Sequence, residues 1–525
     1  MSSTSLVPTP PPESGSYSRV SPAQAAADAI PLLVDDTYHV FHLTTPPFTR
    51  HHPPRLRSTW WRMRSKNLVD WTRDAEPSIK PSDDKTAPDA DGAWTGAAVL
   101  GPDGTMNIFY TGYNLSDNGK QVILRAKSSD RHGTKFQYPG YEITFNGDGR
   151  SKLEHIDFRD PYIFYNETEK QYWMIIASRL AEGPHWSRGC IALLRSTDLD
   201  TWTFASEPLY SPNDMFCPEC PELFSLPNGK WYLLYSRFHA PNSGTVYRIA
   251  DSPYGPFRIP RDGSHGRLDG RRWYAAKSCP KAGDPSKRIY FGWTGDYVDE
   301  EGKWLWGGDL GTPREVCADE NGYLRVEPAA GIEQLFNETS QAVPSKVVRS
   351  EVSLSAVGST KAAFPDLGAA ETEDLLLHFD VAKCDAHAFG VLLQVDADEK
   401  AHRLQFTPSV GDRYNVALLT NFPPLDDFWA DQYGLHLLRP VDGPEIVRHE
   451  GVSLSGGVTL ILRSQLIEVF CGGRSISFRL PLPVAPVTKD ANSETRRLGW
   501  FVEDGDVDLS NVSIRHGGIL WRTDS

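Results

Sequence analysis

Five short aromatic runs recur at nearly even spacing between residues 38 and 293, and this recurrence constrains the fold more than any other feature. They are Tyr38–Leu43, Met106–Thr111, Tyr172–Ala177, Trp231–Ser236 and Arg288–Trp293. With Phe41, Phe109, Ile175, Leu234 and Phe291 as centres, the intervals run from 57 to 68 residues. Alternating aromatic and β-branched residues bounded by Gly, Asp, Asn and Pro predict strands. Four of the runs follow a turn segment: Val34-Asp-Asp-Thr37, Pro102-Asp-Gly-Thr105, Asn166-Glu-Thr-Glu-Lys-Gln171 and Pro227-Asn-Gly-Lys230. A second phrase also repeats, since Asn67-Leu-Val-Asp-Trp71 returns as Asp198-Leu-Asp-Thr-Trp202. A unit of this length makes several strands, so the pattern predicts a five-bladed β-propeller. On the repeat alone, a long irregular β-sandwich is the alternative.

The texture changes near Phe336. Residues 336–345 read as a linker by composition, and beyond them the aromatics thin out. Twelve of the 15 Trp lie between Trp60 and Trp306, and only Trp429, Trp500 and Trp521 follow. Leu375–Phe379, Phe389–Gln394, Val458–Phe470 and Gly499–Val502 read as strands of a second all-β domain, whose length suits a two-sheet sandwich. The predicted organisation is a flexible Pro- and Ser-rich tail over 1–25, a propeller over 26–335, the linker, and a β-sandwich over 346–525. Long amphipathic helical patterns are missing, so the fold class is all-β.

Composition narrows the function. Of 525 residues, 39% are hydrophobic and 23% charged, which excludes global disorder, collagen and coiled coil. A net charge of −14 repels phosphate backbones, so nucleic acid is not an expected partner. No apolar run approaches the ~20 residues that span a bilayer, so no membrane partner is expected either. A neutral, hydroxyl-rich small molecule or oligosaccharide fits this balance. Residues 1–22 lack the basic start and apolar stretch of a secretory signal, and the seven Cys have no framework spacing, so a cytoplasmic setting is expected. Cys217-Pro-Glu-Cys220 has no second pair for zinc and no βαβ setting for redox work; neither a metal nor a cofactor is expected.

In a propeller the innermost strand of each blade lines a central funnel, so functional side chains come one or two per blade. Three acids fit. Asp28 stands just before the first aromatic run, Asp160 before the third in Phe158-Arg-Asp-Pro161, and Glu219 before the fourth in Glu219-Cys-Pro-Glu-Leu-Phe224. Arg159 sets a guanidinium fork beside Asp160, able to grip vicinal hydroxyls. Glu219, among two Cys and two Pro, sits in the apolar surroundings that raise a carboxyl pKa toward that of a proton donor.

Phe158-Arg-Asp-Pro161 and Glu219-Cys-Pro-Glu-Leu-Phe224 resemble the two most specific motifs of glycoside hydrolase family 32, the invertases, inulinases, levanases and related fructosyltransferases. Trp60–Trp71, Ala93-Trp-Thr-Gly-Ala97 with Met106–Gly112, Phe291-Gly-Trp293 with Thr312-Pro-Arg-Glu315, and Leu466–Gly473 resemble further family segments in consistent order. The resemblance implies a five-bladed propeller joined to a β-sandwich and a retaining glycosidase acting on β-fructofuranosides. It implies Glu219 as acid/base, Asp160 as transition-state stabiliser, Arg159 as a holder of the fructosyl ring, and Trp60, Trp94, Thr95 and Trp293 as lining the pocket. Arg271-Arg-Trp-Tyr274 resembles a region near the funnel, which adds Tyr274.

Two departures stand out. The family's Asn-Asp-Pro-Asn-Gly motif is absent; Ala27-Asp-Ala-Ile-Pro-Leu32 stands in its place, which resembles a divergent Gly-Asp-x-x-Pro-Phe branch and implies Asp28 as nucleophile. The family's Gln after the first strand is also missing, with Phe41-His-Leu43 there instead. The competing readings are a carbohydrate-binding propeller–sandwich protein without catalysis, and a related five-bladed glycosidase acting on other sugars. The expected assembly is a monomer or homodimer.

Overall fold

The computed structural model describes residues 17–21, 23–49, 56–138, 140–237, 244–270, 272–295, 305–336, 347–348, 351–363, 374–395, 401–420, 445–463, 466–480, 497–516 and 522–523. Five groups of antiparallel strands follow one another. The first is β1 (Ala26–Val34), β2 (Thr37–Thr44), β3 (Thr59–Ser65) and β4 (Asp70–Arg73). The second is β5 (Gly92–Leu100), β6 (Met106–Asn114), β7 (Lys120–Lys127) and β8 (Tyr141–Glu142). The third has β9 (Thr144–Asn146), β10 (Leu153–Asn166), β11 (Gln171–Leu180), β12 (Gly189–Ser196) and β13 (Thr201–Phe204), with β9 returning parallel to β13. The fourth is β14 (Glu219–Ser225), β15 (Trp231–Arg237) and β16 (Gly244–Ala250). The fifth is β17 (Trp273–Lys281), β18 (Asp284–Gly295), β19 (Gly308–Leu310), β20 (Arg314–Ala318) and β21 (Leu324–Pro328).

The first strands close a ring: β1 packs on β5, β5 on β10, β10 on β14, β14 on β17, and β17 on β1. The ring is tied where β19 pairs with both β18 and β1, joining the last blade to the first. This is a five-bladed propeller. The five aromatic runs are its second strands, β2, β6, β11, β15 and β18, each packed on both faces; Phe41, Phe109, Ile175, Leu234 and Phe291 are all fully buried.

The sequence repeats have structural counterparts. Val34 pairs with Thr37 across Asp35 and Asp36, both at positive φ, as a two-residue hairpin with a primed turn requires. The Asn67 and Asp198 phrases build one turn twice. Ser65 and Ser196 Oγ accept the Leu68 and Leu199 amides at 2.8 Å, and both leucines take positive φ. Trp71 and Trp202 then donate their indole N–H back to those leucine carbonyls at 3.2 and 3.0 Å.

A second β region follows, built from β22 (Val347–Val348), β23 (Glu351–Ala363), β24 (Leu375–Cys384), β25 (Ala388–Val395), β26 (His402–Pro408), β27 (Arg413–Thr420), β28 (Glu445–Ser453), β29 (Val458–Arg463), β30 (Leu466–Cys471), β31 (Arg474–Arg479) and β32 (Arg497–His516). The long β32 pairs with β22, β23, β24 and β25, and folds the strands into a sandwich around a core of Leu377, Phe379, Phe389, Phe406, Leu460 and Trp500. Val458–Phe470, expected as one strand, is an antiparallel pair, β29 and β30, with Arg463 opposite Leu466. β33 (Arg522–Thr523) returns to pair with β4 of the first blade.

Two motifs meet where sandwich and propeller touch. Glu468 of β30 accepts the Thr312 amide at 3.0 Å and pairs with Arg314 at 2.9 Å and Arg463 at 3.1 Å. Arg314 also reaches Asp269 at 2.6 Å and lies 4.1 Å above the Trp273 ring. All of these charges are buried, and each has a partner, as burial demands. Of the segment expected to be a flexible tail, residues 1–16 and 22 lie outside the described residues. Tyr17, by contrast, is buried with its hydroxyl 2.9 Å from the Gly311 carbonyl, and Arg19 pairs with Asp309 at 2.7 Å. That part of the tail is packed because an aromatic ring and an ion pair hold it to the last blade. Of the expected linker, Phe336 is buried and 337–345 lie outside the described residues.

Candidate active site

Each of the five first strands slips against its second strand at one corresponding point, and β10 and β17 each carry one further shift, between Leu153 and Phe158 and between Pro280 and Lys281. The corresponding irregularities fall between Ala27 and Ala29, Trp94 and Gly96, Arg159 and Tyr162, Glu219 and Glu222, and Tyr274 and Lys277. A bulge re-aims the side chain at the slip and leaves the flanking ladder intact. At four of these points a residue with a Cβ takes positive φ: Asp28 (28°), Asp160 (56°), Cys220 (49°) and Ala275 (48°). Such backbone costs energy and persists only where its surroundings fix it. Eight of the nine expected site residues lie at or beside these slips. The ninth, Trp60, is on β3.

The three acids converge on Cys220. Its backbone N–H donates to Asp160 Oδ2 at 2.9 Å, and its sulfur lies 3.7 Å from Asp28 Oδ2 and 3.8 Å from Asp160 Oδ2. Glu219 directly precedes it. Half-buried Asp28 accepts hydrogen bonds from the Thr95 hydroxyl and, at 2.8 Å, from the Trp293 indole N–H. Burial nevertheless raises its pKa, and neighbouring Asp160 adds to the rise. Glu219 receives Arg159 Nη2 at 3.0 Å on one oxygen and the Tyr274 hydroxyl on the other. Its pKa is also raised, first by burial and then by Asp160 and Asp28, which outweigh the pull of Arg159 and Tyr274. Arg159 is held in turn by Asp157 at 2.5 Å and Gln121 at 3.3 Å.

Thr111, which sequence reasoning missed, links two slips. Its hydroxyl donates to the Thr95 carbonyl at 2.9 Å and accepts the Asp160 amide at 2.9 Å, so the second blade sets the backbone of both. Lys277 was also missed. It is buried on β17, with Nζ 2.7 Å from the Gly96 carbonyl. Its only sequence signal was its place three residues after Tyr274. Glu222, the second acid of the Glu219 motif, is fully buried and structural. It pairs with Arg288 at 2.9 Å and accepts the Ser278 amide and hydroxyl, joining the fourth blade to the fifth.

Around the acids, Trp94 is partly exposed and stacked on Tyr113, with ring centroids 4.2 Å apart and planes 16° from parallel. Tyr274 meets Trp293 edge-on at 6.0 Å. Trp60 corrects an expectation: its ring is fully buried between Phe41 and Tyr110 and lines no open space. Strand alternation turns the first Trp of the Trp60-Trp61 pair inward. Its indole N–H, 3.1 Å from the Trp94 carbonyl, braces the second-blade slip from behind. His42, where the family's Gln was missing, is buried and held neutral, its pKa lowered by burial to about 3. All seven cysteines are free thiols, Cys217 and Cys220 among them.

Paired carboxyls at a propeller centre, flanked by stacked aromatic rings, are the groups that glycoside cleavage uses. The chain belongs to glycosyl hydrolases family 32, whose N-terminal domain matches residues 29–328, beginning one residue after Asp28. It is 26% identical over 383 residues to an insoluble β-fructofuranosidase isoenzyme of Arabidopsis thaliana, covering 68% of this chain and 62% of the relative. It is 28% identical over 325 residues to insoluble isoenzyme 2 of rice, covering 55% and 52%. The matches thus span roughly half to three-fifths of these relatives' lengths. Among solved structures, the fold is similar to fructan 1-exohydrolase IIa of Cichorium intybus, with a TM-score of 0.67, 18% identity, and coverage of 96% of this chain and 97% of that one. It is similar also to exo-inulinase of Aspergillus awamori, with a TM-score of 0.68, 16% identity, and coverage of 94% and 96%.

Proposed function

We propose that this protein is a retaining glycosidase that cleaves β-fructofuranosides through a fructosyl-enzyme intermediate. The observation that carries the proposal is the meeting of Asp28, Asp160 and Glu219 at Cys220, with two acids in contact with one residue and the third next to it in the chain. The names of the matched relatives support a fructoside as the substrate class, a small molecule or oligosaccharide.

Cleaving a fructofuranosyl bond builds positive charge on the anomeric carbon and negative charge on the departing oxygen. Retaining enzymes answer with two carboxyls about 5–5.5 Å apart. Asp28 attacks the anomeric carbon, forming an ester bond as the glycosidic C–O bond breaks. Glu219 gives its proton to the leaving oxygen, a role suited to a carboxyl that burial keeps protonated above the usual range. In the second step Glu219 takes a proton from the acceptor, whose oxygen displaces Asp28. Water as acceptor gives hydrolysis, and a sugar hydroxyl gives transfer. Asp160 and Arg159 hold the fructosyl hydroxyls, and Trp94 with Tyr113 offers a flat face to the sugar. Trp293 and Thr95 fix the Asp28 carboxylate, and Tyr274 fixes Glu219.

The test is product analysis by chromatography, with wild type and Asp28→Ala each given sucrose, inulin and levan. Fructose or new fructosides from the wild type, lost in the variant, are expected. Silence from the wild type on every fructoside overturns the proposal in favour of sugar binding without turnover.

A further inference from the structure

The chemistry proposed above asks two half-buried carboxyls in one funnel to hold opposite charge states, with Asp28 ionised and Glu219 protonated. Glu219 has a cation in direct contact, Arg159 at 3.0 Å. Among the described residues, Asp28 has only uncharged groups in contact: the Thr95 hydroxyl, the Trp293 indole and the Cys220 thiol. Contact partners alone would therefore favour the wrong acid for ionisation.

We propose that Lys277 supplies the charge that keeps Asp28 a carboxylate, acting through Asp28 without touching the sugar; the inference rests on Asp28 being the nucleophile. Lys277 lies at the slip of β17, the strand that packs directly on β1. Its ammonium is buried and its hydrogen bond goes to the neutral Gly96 carbonyl. Among the described residues it forms no ion pair. A buried ammonium held by one carbonyl is costly unless charge nearby compensates it. Gly96 follows Thr95, whose hydroxyl holds Asp28, so the same contact fixes Lys277 relative to that carboxylate. The other acids nearby have cations of their own. Glu222 is matched by Arg288, Asp157 by Arg159 and Arg179, and Glu154 by Arg179 and Arg188. With Glu219 protonated, Asp28, Asp157, Asp160 and Glu154 face Arg159, Arg179, Arg188 and Lys277, and of these cations Lys277 alone pairs with no other acid among the described residues.

The groups facing Asp28 support this. β10 contributes Asp160, whose charge opposes its ionisation; β14 contributes the neutral Cys220 thiol and Glu219, which carries no charge while protonated; β17 contributes Lys277, whose charge favours it. β5 and β18 give the neutral donors Thr95 and Trp293. β2, alongside β1, carries His39 and His42, both held neutral by burial with pKa lowered to about 3. Asp309 of β19 is taken up by Arg19 and Arg479.

The experiment compares the pH profile of kcat/KM for wild type, Lys277→Met, Lys277→Gln and Lys277→Arg, with thermal unfolding as a check on folding. Removing the charge raises the point at which Asp28 ionises, so the acidic limb moves up by about one pH unit in the Met and Gln variants, a tenfold loss below the limb. The Arg variant restores the limb. Gln keeps a donor for Gly96 but no charge, so a limb restored by Gln as fully as by Arg makes Lys277 a structural hydrogen-bond donor and overturns the proposal. An unmoved limb in folded Lys277→Met overturns it as well. The titration of Asp28 is also read without turnover, from the infrared carboxyl band missing in Asp28→Asn. If no fructoside is cleaved, the proposed function fails, while the infrared shift between wild type and Lys277→Met still decides the role of Lys277.

Discussion

Within each blade the second strand pairs with its outer neighbour residue for residue, whereas every first strand slips against the second. β2 with β3, β6 with β7, β11 with β12 and β15 with β16 show no shift of register. The second strands are buried on both faces, so any slip would expose or clash a full row of side chains. The first strands meet the funnel at one end, and there the ladder breaks. A rigid middle strand thus carries a strained inner strand whose bulges aim single side chains at one point. Stability and chemistry are divided between neighbouring strands of one sheet.

That division can be broken from either side. The largest effect is expected at the first slip: Asp28→Ala lowers kcat/KM by more than about 10⁴-fold with unfolding midpoints little changed, checked by steady-state kinetics and denaturant titration. At the fourth slip, Glu219→Gln costs about 10²–10⁴-fold on sucrose. It costs much less on a fructoside whose leaving group needs no proton, and it removes the alkaline limb of the pH profile that the raised Glu219 pKa sets. The second strands behave in the opposite way. Ile175→Ala, fully buried in the third blade, loses about 2–5 kcal/mol of stability while kcat of the folded fraction holds. A fall in kcat there would show that the two strands are not separable.

A smaller effect tests the hold on the bulge. Thr95→Val removes a hydrogen bond to a charged acceptor, worth about 1.5–3 kcal/mol, and slows turnover on the order of 10- to 100-fold. The smallest prediction concerns stability against pH. Asp28 has a higher pKa folded than unfolded, so the folded state binds more protons between those values, and stability falls as pH rises from near 4 through the folded pKa. Asp28→Asn escapes this loss. It is expected to be more stable than wild type at pH 7, and by less at pH 4, in paired thermal melts.

The same contrast explains what the sequence disclosed. The second strands were legible because burial on both faces writes dense aromatic and β-branched runs, and their spacing alone gave the blade number. The repeated Ser-x-Asn/Asp-Leu turns were visible because a hydroxyl and a carboxyl or amide at fixed offsets make them. The bulges left no such trace. Asp28, Asp160, Cys220 and Ala275 take positive φ without glycine, so the candidate acids were marked by their place before the aromatic runs and by resemblance to family motifs, not by any sign of a bulge. Trp60 was misjudged because an aromatic near a funnel reads the same facing inward or outward, and alternation decides which. Lys277 was passed over because a single lysine in a strand reads as a solvated face, whereas here its charge is enclosed. The Val458–Phe470 hairpin was read as one strand because its apolar alternation continues on either side of residues 464–465, which lie outside the described residues.

Which carboxyl carries the sugar decides the mechanism most directly. Wild type would be mixed rapidly with sucrose, quenched in acid, digested and mapped by mass spectrometry for a peptide bearing one fructosyl unit. The label is expected on Asp28, in the peptide containing Ala27-Asp-Ala-Ile-Pro, and absent from Asp28→Ala. A fructosyl group on Asp160 or Glu219, or turnover with no labelled carboxyl at any quench time, would contradict this mechanism.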